Sequence, residues 1–217
     1  MSEGVVRFAR VTEVDVAGPG GTELLTPTEL ARLARLRSPA DRAAYRAAHV
    51  LVRRCAAQLL GLDPAELVLR QECPGCGGTG HRRPVLAGLP GVGLALSHSR
   101  AHVAAAAVRG RCGVDVEDLP GDRVPDTVLA PAERDWLSHG AGSADPGAGL
   151  RLWVRKEALV KAGAASLADA AALDLMDTGA GGRRLRADAH GFALGEWRTA
   201  DAVGAWAVPP GTRVSRA

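Results

Sequence analysis

Residues 5–16 alternate between apolar and polar positions well enough to predict a strand with one buried face. Two helix starts follow closely. In Thr26-Pro27-Thr28-Glu29 the threonine can cap, the proline suits the first turn and the glutamate completes a capping box. Ser38-Pro39-Ala40-Asp41 repeats these roles, and its helix should run to about Leu60 and stop at Gly61. There, Ala43, Ala47, Leu51, Cys55 and Leu59 recur every four residues and predict a buried stripe. Arg42, Arg46, His49 and Arg53 predict a basic stripe on a different face. A strand is expected at 67–71, and "CPGCGGTGHRRP" reads as a loop. "VGLALSHS", "HVAAAAVR" and "CGVDVE" then read as a meander with turns at Arg100–Ala101 and Gly110. Residues 118–125 are turn-rich, "APAERDWL" opens a helix and "SHGAGSADPGAG" reads as a mobile loop. A helix from about Leu150 to Ala162 precedes a last meander of "RRLRADA", "GFALGEWRTA" and "VGAWAV". Helices thus precede antiparallel strands in each half. The expectation is an α+β chain of two similar subdomains, 1–111 and 112–217, with weak likeness residue by residue.

Composition sharpens this picture. Of 217 residues 47% are hydrophobic but only 3% aromatic, so the core must be built from Ala, Val and Leu. A net charge of +3 suits an anionic small ligand or an acidic partner and is too small to announce nucleic acid. No run of apolar residues is long enough to span a membrane. Four cysteines without a signal-peptide pattern point to a reducing cytoplasm.

Several short motifs could carry chemistry. In "GVDVE", strand alternation puts Asp115 and Glu117 on one face and Val114 and Val116 in the core. Paired carboxylates suit either a solvated edge or a bridging cation such as Mg²⁺. "LWVRKEALVKA" holds the only two lysines of the chain, Lys156 and Lys161, where arginine serves everywhere else. Trp153, Glu157 and Lys161 share one helix face. Read plainly, Glu157 and Lys161 are an i,i+4 ion pair, yet the tryptophan on the same face argues for a cleft. Ser97-His98-Ser99 ends a strand at a hairpin tip, where ligand contacts accumulate. Adjacent strand residues face opposite ways, so Ser97 and His98 are not a nucleophile and base. Cys73, Cys76 and His81 have the spacing of zinc ligands but lack a fourth, and a plain turn with two thiols is the alternative. Arg82 and Arg83, like the basic stripe, could meet an anion.

In this order and spacing, "LSHS", "GVDVE" and "WVRKEALVKA", with "RAAYRAAHVLVRR" and a basic residue before Pro84, resemble the Sfp-type 4′-phosphopantetheinyl transferases. The resemblance spans most of the chain and implies two α/β halves related by a pseudo-twofold axis, with the active site between them. It implies Mg²⁺-dependent transfer of the phosphopantetheine arm of coenzyme A to a serine of an apo acyl or peptidyl carrier protein, by a monomer. The metal ligands would be Asp115, Glu117 and Glu157, with Glu157 also the base. Lys161 would meet the phosphates and stabilise the leaving group. Ser97 and His98 would contact coenzyme A, as would Arg83 and, more weakly matched, Arg32; Arg42 and Arg46 are possible helpers from the basic stripe. The "GAASLAD" and "HRRP" stretches depart from the family pattern. Carrier docking is expected after Glu117, through about Leu137, where Arg123 and Arg134 suit an acidic partner. A nucleic-acid module with a zinc site, or a Mg²⁺-dependent hydrolase of nucleotide anhydrides, stands as an alternative.

Overall fold

The computed structural model describes residues 2–18, 21–72, 83–122, 124–179 and 182–216. Strand β1 (Glu3–Arg10) is followed by helices α1 (Pro27–Arg35) and α2 (Pro39–Leu60), then by β2 (Leu69–Glu72), β3 (Arg83–Leu86), β4 (Val92–His98) and β5 (His102–Arg109). Strand β6 (Gly113–Asp118) leads to α3 (Pro131–His139) and α4 (Ala148–Ala162). Strands β7 (Met176–Gly179), β8 (Gly182–Leu185), β9 (Asp188–Ala189), β10 (Phe192–Arg198), β11 (Ala202–Val208) and β12 (Arg213–Ser215) complete the chain. The fold is α+β.

Local capping explains the helix bounds. Thr26 accepts from the Glu29 amide while Glu29 accepts from the Thr26 amide, closing both halves of the predicted box. Ser38 caps α2, and Gly61 ends it in the left-handed region at φ 68°. Burial on α2 is wider than the predicted stripe. Its residues are buried on nearly every side from Ala44 to Ala57, whereas Ala43 and Leu59 are only half-buried. Small alanines let the sheet and the neighbouring segments close on the helix from several directions.

The strands form a six-stranded sheet in the order β12-β1-β5-β4-β3-β2 and a four-stranded one in the order β6-β11-β10-β9. Among the described residues the strands of these two sheets pair antiparallel except β1 with β12. Helix α2 packs on the first sheet through Val50, Cys55, Leu94 and Val103. Helix α4 packs on the second through Leu152, Leu159, Val203 and Ala205. A third core, including Val6, Ala104, Val114, Val116 and Trp206, joins the two. The last strand returns to the first sheet, where Gly4 faces Val214.

Four sequence expectations are corrected. Strand β1 ends at Arg10 and a 3-10 turn takes Val11–Glu13, where Arg10 and Glu13 make a local cap. Strand β6 does not extend the β4–β5 meander; it pairs with β11, Asp115 opposite Ala205. The last meander is split as well, because β8 pairs with β7 in a separate two-stranded sheet. Residues 138–149 are held rather than loose: Asp145 accepts from the Gly147 amide and from Arg151, and takes both Nη atoms of Arg198 at 2.7 and 2.8 Å.

Candidate active site

Strand β6 alternates as predicted, with Val114 and Val116 in the core and Asp115 and Glu117 on the opposite face. That face is not a solvated edge, because α4 covers it. Gly113 makes this possible: a methyl group there would collide with the Ala158 carbonyl and lie 2.7 Å from the Ala162 amide nitrogen. Asp115 is buried, and Glu117 is half-buried.

Helix α4 presents Trp153, Glu157 and Lys161 as one half-buried face. The simple i,i+4 ion pair does not form. Lys161 Nζ instead donates to Asp115 Oδ1 at 2.7 Å and to Ser97 Oγ at 2.9 Å, and Ser97 donates to the same Oδ1 at 2.6 Å. Three motifs far apart in sequence, on β4, β6 and α4, thereby meet at one carboxylate. The second oxygen of Asp115 is buried without a hydrogen-bond partner.

The remaining acids feel this crowding. Burial and the charge of Asp115 push Glu117 up to about 7, although Trp153 donates to it and Lys161 draws it down. Glu157 is raised for the same two reasons, again against Lys161. Loss of hydration, His49, Lys161 and Arg32 hold the His98 imidazole below its usual range, though its edge reaches solvent. Among the described residues no three His, Cys, Asp or Glu side chains stand ready around one metal position. The donors nevertheless suit a hard divalent cation. They are carboxylates with one orphaned oxygen, and two of them are raised by burial and by the charge of Asp115.

The basic candidates spread out. Arg32 is exposed on α1, three residues past Glu29. Arg42 is committed to the carbonyls of Leu36 and Arg37, at 2.8 and 3.0 Å. Arg46 is half-buried with its Nε unpartnered. Arg83 begins β3. His49 and Arg53 are buried on Glu29, so the basic stripe is not an open face for nucleic acid. Cys73, Cys76, His81, Arg82 and Arg123 lie outside the described residues.

Two features escaped sequence reasoning. Lys156 is fully buried against Glu133, Nζ to Oε2 2.9 Å. Burial presses the lysine down and the glutamate up, each opposed by its partner. Asp118, one residue past Glu117, takes His102 Nδ1 at 2.7 Å and the Ser99 hydroxyl at 2.7 Å, tying the β4–β5 hairpin to the end of β6. Beyond it a cleft of about 780 Å³ runs between residues 119–138 and the start of α4, lined by Leu119, Val124, Arg134, Leu137 and Leu150.

Fold and site together define an α+β protein whose second half carries an acidic strand closed by a lysine-bearing helix. Residues 111–207, from just before β6 into β11, match the family model of the 4′-phosphopantetheinyl transferase superfamily, and the chain carries a domain of that superfamily there. A search of curated proteins returns no match. Among the described residues no helix is long and apolar enough to cross a membrane.

Proposed function

We infer that the protein transfers the 4′-phosphopantetheine arm of coenzyme A to a serine of an apo acyl or peptidyl carrier protein. The observation that carries this reading is Lys161 and Asp115, both within the family-matched residues 111–207, meeting each other and Ser97 of β4. In the reaction the serine oxygen attacks the phosphorus next to the pantetheine arm. The anhydride P–O bond breaks, adenosine 3′,5′-bisphosphate leaves, and the serine proton is lost.

Glu157 accepts that proton. A carboxylate raised by burial is a better base near neutrality than an ordinary one. Lys161 stands where it can meet the pyrophosphate. Its compact ammonium can turn from Asp115 toward an arriving phosphate, which the planar fork of arginine does less readily. Mg²⁺, held by Asp115, Glu117 and Glu157, would neutralise charge on the phosphates. Ser97 holds Asp115 in place, and His98 and Arg32 offer donors to the outer phosphate of coenzyme A. Residues 119–137 and the cleft behind them are the docking side for the carrier, with Arg134 facing its acidic surface.

The test is direct. The full chain is incubated with coenzyme A, Mg²⁺ and apo carrier proteins, and the carrier is weighed by mass spectrometry. A gain of one phosphopantetheine arm is expected, and no gain with fatty-acid, polyketide and peptide carriers would sink the reading. Glu157→Gln should lower kcat by roughly 10²–10⁴-fold with the fold intact, as expected for loss of a general base. Near-normal turnover would show the base assignment to be wrong.

A further inference from the structure

We propose that Lys156, with Glu133, is a positioning residue for phosphopantetheine transfer: it sets the rotation of α4 and so aims Glu157 and Lys161 at Asp115. The proposal rests on the transfer reading above. An ammonium has three N–H groups, and Lys156 has an acceptor for each. Its Nζ lies 2.9 Å from Glu133 Oε2, 2.7 Å from the Ala170 carbonyl and 2.8 Å from the Leu173 carbonyl. Glu133 is equally committed. Its Oε2 also accepts from the Ala130 amide at 2.7 Å, and its Oε1 from the Leu175 amide at 3.0 Å. One buried pair thus joins the start of α3, the turn at Leu167–Ala172, the entry to β7 and the middle of α4.

Lys156 points away from the substrate side and touches none of Asp115, Ser97 or Glu117. Its influence passes through the helix. Neighbouring helix positions lie about 100° apart, so anchoring Lys156 on the α3 side leaves Glu157 on the adjoining flank, toward Asp115. The close approach of Gly113 to Ala158 sets how near α4 lies to β6. The Lys156 anchor sets which way the helix is turned once it is there. Arginine could not reproduce it, because three acceptors converge on one nitrogen rather than on a planar fork.

Replacing both members of a buried ion pair can leave stability nearly whole, whereas removing one strands the other. The decisive variant of the full chain is therefore Glu133→Gln with Lys156→Met, assayed with coenzyme A, Mg²⁺ and apo carrier, its folding followed by circular dichroism. We expect a cooperative unfolding transition and a kcat lower by roughly 10–100-fold, with a smaller change in KM for coenzyme A, the cost of a misaimed but intact site. A folded double variant with wild-type kcat would overturn the proposal. Should it not fold, Glu133→Gln alone keeps the lysine and both of its carbonyl bonds, and is assayed below its own transition; wild-type kcat there overturns the proposal equally. Wild-type chain inactive on every carrier would instead overturn the transfer reading, and the positioning role with it.

Discussion

The two halves of the molecule solve the same packing problem with different charges. Each runs strand, short helix, long helix and then a hairpin whose second strand pairs with the first: β1 with β5, and β6 with β11. Each short helix starts with proline and carries glutamate at its third position, in Thr26-Pro27-Thr28-Glu29 and Ala130-Pro131-Ala132-Glu133. Both glutamates accept from the amide that precedes their helix, at 2.7 Å in each case. Both then reach a buried basic side chain on the following long helix, Arg53 beside His49 in one half and Lys156 in the other. Five residues further along each long helix a side chain meets the first strand of its half: Gln58 accepts from Arg7, and Lys161 donates to Asp115. Arg7 lies opposite Ala105 as Asp115 lies opposite Ala205. Among the described residues this order of elements and contacts recurs, while the acidic pair Asp115 and Glu117 stands on the first strand of the second half.

The sharpest way to break this comparison is to remove the corresponding helix residues. Lys161→Ala should lower transfer by roughly 10²–10³-fold, the scale for loss of one donor to developing charge. Gln58→Ala, at the matching position in the first half, should leave steady-state rates at wild-type values. Equal losses in the two variants would mean that Lys161 acts through packing rather than on the phosphates.

The buried glutamates come next, and here the halves differ in sign. Arg53 and His49 hold Glu29 at about 2, down from 4.5, against the opposing effect of its burial, which is the largest single influence on it. Burial wins at Glu133, which is raised. The stabilisation from Glu29 is therefore complete above about 4.5 and is lost as pH falls through about 2. Glu133 cannot supply such a loss, because protonation favours its folded form. Chemical denaturation at a series of pH values should show a flatter acid limb for Glu29→Gln and a wild-type acid limb for Glu133→Gln. At pH 7 Glu29→Gln should cost about 3–5 kcal/mol, as expected when a buried charge loses its partner. Glu133→Gln should cost less, because a neutral side chain is the form that folding favours there. Parallel acid limbs in all three proteins would refute the difference in sign.

What the sequence could reveal follows the range of the interactions involved. The start and end of α2 are legible because Ser38, Pro39 and Gly61 act within a turn of where they stand. Which face of β6 is buried is legible from alternation, but its partner is not, since pairing with β11 spans some ninety residues of chain. The segment around Asp145 reads as loose until Arg198 arrives from β10. Arg53 and His49 read as a basic stripe because the glutamate that buries them belongs to another helix. Lys161 looked paired with Glu157 for the same reason: helix spacing sees only its own helix, and the nearer carboxylate is on β6. One longer-range signal was available. The Pro-x-Glu repeat at residues 27–29 and 131–133 marks equivalent helix starts, and in the structure each glutamate meets a buried basic side chain on the helix that follows.

The smallest expected difference lies at the caps themselves. Thr26 supplies the side-chain oxygen that its helix needs, accepting from the Glu29 amide at 3.3 Å. Ala130 has none, so α3 keeps only the glutamate's half of the box, and the Glu133 amide is left with the Ala130 carbonyl at 3.1 Å. Thr26→Ala should reduce the first half to the state of the second, at a cost of about 1 kcal/mol. Ala130→Ser should move the other way by a similar or smaller amount, because its site is buried and the new hydroxyl must find the Glu133 amide to offset its desolvation. Urea midpoints measured on the two variants decide it. Opposite shifts at unchanged slope would establish the two helix starts as the same device in two stages of completion, and a destabilised Ala130→Ser would show that α3 has packed too tightly around its missing cap to accept one.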